Sequence, residues 1–222
     1  MLLARHCPAC RRPARSICGR CLSALPRWAP VGEWSAPRAR ELGLDGFAAL
    51  FVYAPPVARV ILAAKNGGRH DLLAVLGHAL AHDLAGRPDL MSGVVGGDGI
   101  RHEIGGRGVG GIDVVTWVPA SRRQARRRGY DQGRELAGAV ARPLGLRARP
   151  LLRRAGREAQ AGRNRVDRLA GPSLLVRGRC SPARVLLVDD VATTGASLAR
   201  AAAVLRAAGA RSVHAAVVAA VP

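Results

Sequence analysis

Apolar positions along the chain fall into short runs that alternate between two periods, separated by glycine, proline and charged residues. Phe47-Ala48-Ala49-Leu50-Phe51-Val52-Tyr53 predicts a strand, and Pro55-Pro56 then opens a helix with Val57, Val60, Ile61 and Ala64 at helical spacing. A second helix is expected from Asp71 to Leu84. Ile112 to Val118 reads as a strand halted by Pro119, and Asp131 to Arg142 as a helix. Arg184-Val185-Leu186-Leu187-Val188 is a continuous apolar run ending in Asp189-Asp190. A Thr-Gly turn follows it, then a helix from Ala196 to about Ala208, Gly209 as its cap, and a last strand from Ser212 to Val218. This order is a β-turn-α-β unit of a parallel sheet, so the fold class is α/β.

Two stretches break the pattern. Residues 1–42 have five prolines and little apolar periodicity, too little for a core of their own, and form a separate element in front of a domain over 43–222. Nine glycines between Met91 and Asp113 predict a mobile loop or insertion at 91–111.

At 222 residues and 49% hydrophobic composition the chain has material for a core, which excludes wholesale disorder. No run reaches the ~18 apolar residues of a spanning helix, and Met1 to Arg5 lead straight into cysteines without a signal-peptide core. A cytoplasmic location is the expectation. The net charge of +20 points to an anionic partner: nucleic acid, a phosphorylated metabolite or a membrane surface. More than half of it lies in 120–170, where 15 Arg face 4 acidic residues, a net of +11. Of the 35 basic residues 34 are Arg, which looks like a coding bias and leaves Lys65 as the single lysine.

Cys7-x-x-Cys10 and Cys18-x-x-Cys21 place two thiolate pairs on two short turns, a donor set that suits tetrahedral Zn²⁺. Four protein ligands leave no open position, so the zinc is expected to be structural. The second constellation is Val185 to Ser197. A buried strand delivers Asp189 and Asp190 to the carboxyl edge of the sheet, where α/β ligands bind, and Thr193, Thr194, Gly195 and Ser197 turn into a helix start that suits a phosphate. Carboxylates for diol hydroxyls beside a phosphate cradle describe a phosphorylated sugar. A nucleotide-hydrolase reading is set aside because no G-x-x-x-x-G-K-[ST] occurs. Gly106 to Gly111 matches G-x-G-x-x-G but precedes a strand. His78 and His82 lack a third ligand, and Cys180 is read as a structural thiol.

The run ending Asp189-Asp190-Val191-Ala192-Thr193-Thr194-Gly195-Ala196-Ser197 resembles the phosphoribosyl pyrophosphate (PRPP) loop of type I phosphoribosyltransferases. With the four cysteines in front, the larger pattern is similar to the competence-associated ComF family. Ala64-Lys65-Asn66-Gly67-Gly68, Val118-Pro119, Arg126 to Gln132, and Arg154, Gln160, Arg165 and Arg168 resemble further family segments in order. The last of these is the family's arginine-rich mobile segment. Asp131 departs from the family's usual Asn, and Gly171 falls where an Asn often stands.

The resemblance implies a type I phosphoribosyltransferase sheet behind a small four-cysteine zinc ribbon or knuckle. It implies that Asp189 and Asp190 hold the ribose hydroxyls and that Ala192, Thr193, Thr194, Gly195, Ala196 and Ser197 wrap the 5-phosphate. Pro119, Ala120 and Ser121 would belong to a pyrophosphate loop running from Val118 to about Arg122. A Mg²⁺-dependent transferase would bridge pyrophosphate and ribose oxygens with the metal and neutralise the leaving group with Lys65, Arg154 or Arg165. The alternative is a non-catalytic protein that holds single-stranded DNA on the arginine-rich face, in the company of DNA-uptake proteins. Only seven aromatics are available for base stacking.

Overall fold

The sheet is built from the apolar runs that the sequence pattern picks out. In the computed structural model, which describes residues 5–29, 36–66, 68–87, 111–155, 173–178, 180 and 183–222, strands β1 (Gly46–Val52), β2 (Val114–Trp117), β5 (Arg184–Ala192) and β6 (Ser212–Ala220) pair in parallel, in the order β1-β6-β5-β2. Parallel strands need crossovers, and helices supply them. These are α3 (Pro55–Asn66), α4 (His70–Ala85), α5 (Arg122–Arg128), α6 (Gln132–Ala141) and α7 (Ala196–Ala207), preceded by the short α1 (Gly19–Ala24) and α2 (Ala36–Glu41). A small antiparallel pair, β3 (Leu152–Arg154) with β4 (Leu174–Val176), stands apart.

Alternation along the strands divides the core in two. Leu186, Val188, Ala216 and Val218 pack with Val57, Val60 and Ile61 of α3, Leu72 to Leu84 of α4, and Leu136 and Val140 of α6. Val185, Leu187, Val213, Ala215 and Val217 pack on the opposite face with Leu198, Ala201 and Leu205 of α7 and with Leu152 and Leu174 of the hairpin. The result is a helix-sheet-helix sandwich, the predicted α/β class, with every central strand buried on both faces. Among the described residues no helix is long and apolar enough to cross a membrane.

The observed bounds differ from the expected ones where pairing, not side-chain pattern, sets them. β5 runs through the acid pair to Ala192 because β6 continues beside it, Asp189 opposite Val217 and Ala192 opposite Ala220. Gly209, at φ +94°, lies one residue past the cap Ala208. The glycine-rich 91–110 stretch lies outside the described residues.

The amino-terminal segment docks on this body. Cys7, Ile17 and Leu25 are buried in the α3/α4 core, and Arg27 makes an antiparallel bridge to Phe51 at the β1 edge. The Arg69 guanidinium binds Asp71 and donates to the carbonyls of Arg15, at 2.9 Å, and His6. One cation thus clamps the α3–α4 turn to the cysteine-bearing loops.

At the other end of the sheet, Asp45 accepts from Val213 N–H at 2.7 Å and from Arg206. His214 is buried nearby, its Nδ1 without a partner among the described residues. Burial holds its imidazole below the ordinary 6.5; Asp45 opposes this, and Arg206 and Arg184 add to it. The fold therefore prefers neutral His214, and the unfolded chain takes up the proton first as pH falls below 6.5, so stability is lost on acidification. His214→Gln removes this dependence. The stability advantage of wild type over the variant, read from urea midpoints, shrinks between pH 7.5 and 5.5; a constant difference contradicts the assignment.

Candidate functional site

Strand alternation sends the two carboxylates to opposite faces. Asp190 follows Leu186 and Val188 toward α3 and α6, where Lys65 Nζ lies 2.9 Å from its Oδ1 and the Gln132 amide donates to its Oδ2. Lys65 stands in the last turn of α3 and Gln132 is the first residue of α6. Asp189 follows Val185 and Leu187 to the other face and accepts the Asp190 N–H at 2.8 Å. Burial, reinforced by the neighbouring Asp190 charge, pushes the Asp189 carboxyl up to about 8, against the pull of the Asp190 N–H, Lys65 and Arg154. With its carboxyl raised in this way, Asp189 can donate as well as accept a hydrogen bond, and beside Asp190 it suits a vicinal diol.

Beyond Ala192 the chain turns through exposed Thr193 and Thr194 to Gly195. Gly195 takes φ +74°, a left-handed conformation that a Cβ would strain by about 1–2 kcal/mol. Thr194 Oγ1 accepts from Ala196 N–H at 3.4 Å, and α7 starts there. The first-turn N–H groups of this twelve-residue helix have no carbonyl behind them and point out of the sheet's carboxyl edge, the arrangement an oxyanion fills.

Trp117 ends β2, and Pro119 offers its carbonyl to Arg154 Nε at 2.8 Å. Arg154 closes β3 of the hairpin. Leu152 and Leu174 bury into the α7-side core and pack the pair against it. Burial lowers the Arg154 pKa, while Asp189 and Asp131 raise it. Gln160, Arg165 and Arg168 lie outside the described residues. Ser121 caps α5 in a reciprocal pair with Gln124, and the arginine run 122–128 forms the body of this helix.

Asp131, the departure from the family's Asn, has a local cause. Its Oδ1 accepts from Gly133 and Arg134 N–H at the start of α6, and its Oδ2 accepts from Trp117 Nε1 at 3.1 Å. An Asn has only one acceptor oxygen and could not take both sets in this arrangement. Gly133 lets the indole approach, since a Cβ there would meet Trp117 Cδ1 at 2.7 Å.

Sequence reasoning does not single out Tyr130 as a site residue. Its hydroxyl donates to Ala64 O at 2.7 Å, and its ring lies 4.0 Å from that of His70. Together with Lys65, Asn66, Gly68, Arg127 and Arg128 it lines a cleft of about 380 Å³.

The four cysteines converge. Cys7 and Cys10 sit on a hairpin turn, Cys18 caps α1 and Cys21 lies within it, and the four sulfurs are within 4.8 Å of one another. Cys10 Sγ and Cys18 Sγ are 3.9 Å apart; a tetrahedral zinc with ~2.3 Å bonds needs edges of about 3.8 Å. Burial opposes ionisation of Cys7, but the N–H groups of Cys18, Cys10 and Ala9 outweigh it and bring the thiol down to about 6. Hydrogen bonding to Cys18 and Cys10, with burial and the Cys7 charge, pushes Cys21 up to about 12. A cation that ionises all four thiols removes this conflict, and the donor set is compatible with structural zinc.

At the carboxyl end of the central strand β5 an acid pair is thus followed by a Thr-Thr-Gly turn into helix α7. Residues 131–222 match the phosphoribosyl transferase domain family. A search of curated proteins finds no match. Among solved structures, the chain is similar to "Structure of the allosteric regulatory enzyme of purine biosynthesis", at 21% identity and a TM-score of 0.39. That similarity covers 67% of this chain and 25% of the other, so the chain spans about a quarter of that relative's length.

Proposed function

We propose that the chain binds PRPP with Mg²⁺ at the carboxyl ends of β5 and β2 and transfers its phosphoribosyl group to a nitrogen nucleophile. The observation that carries this reading is the junction of the Asp189-Asp190 pair with the Thr193-Thr194-Gly195 turn at the start of α7. Residues 192–197 receive the 5-phosphate through backbone N–H groups and hydroxyls, and the two carboxylates receive the ribose hydroxyls. Pro119, Ala120 and Ser121, with Arg154 behind them, flank the pyrophosphate.

The nucleophile's lone pair forms the bond to C1, the C1–O bond to pyrophosphate breaks with its electron pair, and the nitrogen's proton leaves to water. Lys65, Arg154 and Arg165 offset charge growing on the leaving group, so the chain contributes positioning and electrostatics. Mg²⁺, when bound, would supply charge neutralisation of the pyrophosphate, with few ligands needed from the protein. Residues 1–42 act as a zinc-stabilised element docked on the transferase domain of 43–222, in a ComF-like arrangement.

A second reading is single-stranded DNA binding, which would place the chain among DNA-uptake proteins. It is favoured by Arg123, Arg126 and Arg127, all exposed on α5. Titrating the full chain with PRPP and Mg²⁺, in parallel with a fluorescent oligonucleotide at two salt concentrations, separates the two. Saturable PRPP binding is the expected result. Oligonucleotide binding that falls steeply with salt, without PRPP binding, overturns the transferase reading.

A further inference from the structure

We infer that Arg127 and Arg128, in the cleft beside Lys65, form the subsite for an anionic group of the acceptor, which is therefore a small molecule bearing a carboxylate or phosphate. This rests on the proposed function and narrows its second substrate.

Position is the first argument. The 5-phosphate turn leads into α7 on one face of the sheet, and Asp189 and Arg154 belong to that face. The cleft lies on the other face, beside Asp190, whose carboxylate is bound to Lys65. Pyrophosphate at Pro119–Ser121 meets the start of α5, whereas Arg127 and Arg128 close its end. Seven residues at about 1.5 Å each separate them by roughly 10 Å. A ribose held on the acid pair thus has pyrophosphate contacts toward one end of α5 and, toward the other, a cleft whose Arg127 and Arg128 have no part in the proposed transfer.

Chemistry is the second. Three cations line the cleft, and the nearest anion, Asp190, offsets one of them. The dipole of α5 explains arginines in its last turn. It does not explain Arg128 Nε, a buried donor with no partner among the described residues, although the same guanidinium donates to Gln132 Oε1 at 3.1 Å. A buried N–H left unmet costs about 1–3 kcal/mol, which an incoming oxyanion recovers.

Shape is the third. Tyr130 is fixed between Ala64 O and the His70 ring, giving the cleft a rigid aromatic wall. Its volume of about 380 Å³ is at the small-ligand end of binding pockets, too little for a run of nucleotides.

The test titrates the full chain with orthophosphate and with succinate, each with and without saturating PRPP and Mg²⁺. The expected result is saturable binding of one of these anions that persists on the PRPP-loaded protein, the tighter of the two identifying the acceptor's group. Arg127→Gln with Arg128→Gln weakens it about tenfold or more, the effect of losing charge-assisted hydrogen bonds. Should that variant melt before assay, Arg127→Gln alone, at an exposed position, must still weaken the anion. Equal affinity in wild type and variant overturns the proposal, and so does complete displacement of the anion by PRPP, which would make the cleft part of PRPP's own site. If PRPP fails to bind while the anion is held by wild type and lost by the variant, the transferase reading falls and takes the acceptor assignment with it. That pattern differs from failure of the cleft itself.

Discussion

Replacing Asp189 and Asp190 together by Asn lowers the affinity for PRPP about 100-fold or more and leaves the domain folded. The magnitude follows from the loss of the Asp190 carboxylate, a charge-assisted partner worth about 1.5–3 kcal/mol, together with the hydrogen bonds of the Asp189 carboxyl, worth about 0.5–1.5 kcal/mol. Folding survives because neither carboxylate is buried in the core: both are half-buried at the sheet's carboxyl rim. Asp189 also works against stability at neutral pH. Its folded-state pKa is raised from 3.8 to about 8, so the unfolded chain gives up the proton first and stability falls as pH rises across that interval. Asn at 189 carries no such penalty, and the double variant melts no lower than wild type at pH 8 apart from the loss of the Lys65–Asp190 pair. Calorimetric titration with PRPP and Mg²⁺, alongside melting curves, reads both quantities. Unchanged PRPP affinity would sink the sugar-phosphate reading.

Cys7→Ser is the second large effect. Cys7 is fully buried among Ile17, Leu25 and the α3/α4 core, and its sulfur accepts from Cys18 N–H at 3.5 Å. Where metal binding and folding are coupled, a lost ligand removes folding free energy directly. Elemental analysis is expected to find about one zinc ion per chain in the wild type and none in the variant, which melts roughly 10 °C lower, the shift that a loss of about 3–5 kcal/mol gives in a chain of this size. PRPP affinity changes far less, since the phosphate turn and Asp189 lie on the opposite face of the sheet. The route by which the damage could spread is Arg69, which ties the carbonyls of His6 and Arg15 to the turn after Lys65. Loss of PRPP binding together with zinc would make the cysteine element part of the site. A wild-type protein that purifies without metal and melts like the variant would contradict the zinc assignment.

The β5–α7–β6 unit was legible because its apolar run, acid pair, turn glycine and helix follow one another within 37 residues, and local sequence carries every piece of it. The two faces of the sandwich could be inferred from alternation alone. Helix α5 was not legible in the same way, because a run of arginines has no apolar stripe. Its start, Ser121-x-x-Gln124, and its left-handed end, Gly129 at φ +78°, were present in the sequence as cap signals. The β3–β4 hairpin escaped for a different reason: three-residue strands with one inward leucine each are too short to show a period. Contacts between distant segments were out of reach. Gln132 meets Asp190 across 58 positions, and Asp131 makes sense only once Trp117 is seen to donate to it. Arg154 stood out by its resemblance to a family segment, but its place at the rim comes from a hairpin that the resemblance did not reveal.

The most direct test of the central claim is a crystal structure of the full chain grown with PRPP and Mg²⁺. The account predicts the 5-phosphate within hydrogen-bond distance of the backbone N–H groups of residues 193–197, with the ribose hydroxyls on Asp189 and Asp190. Density for PRPP elsewhere on the protein, or a phosphate turn left empty at saturating ligand, would contradict it.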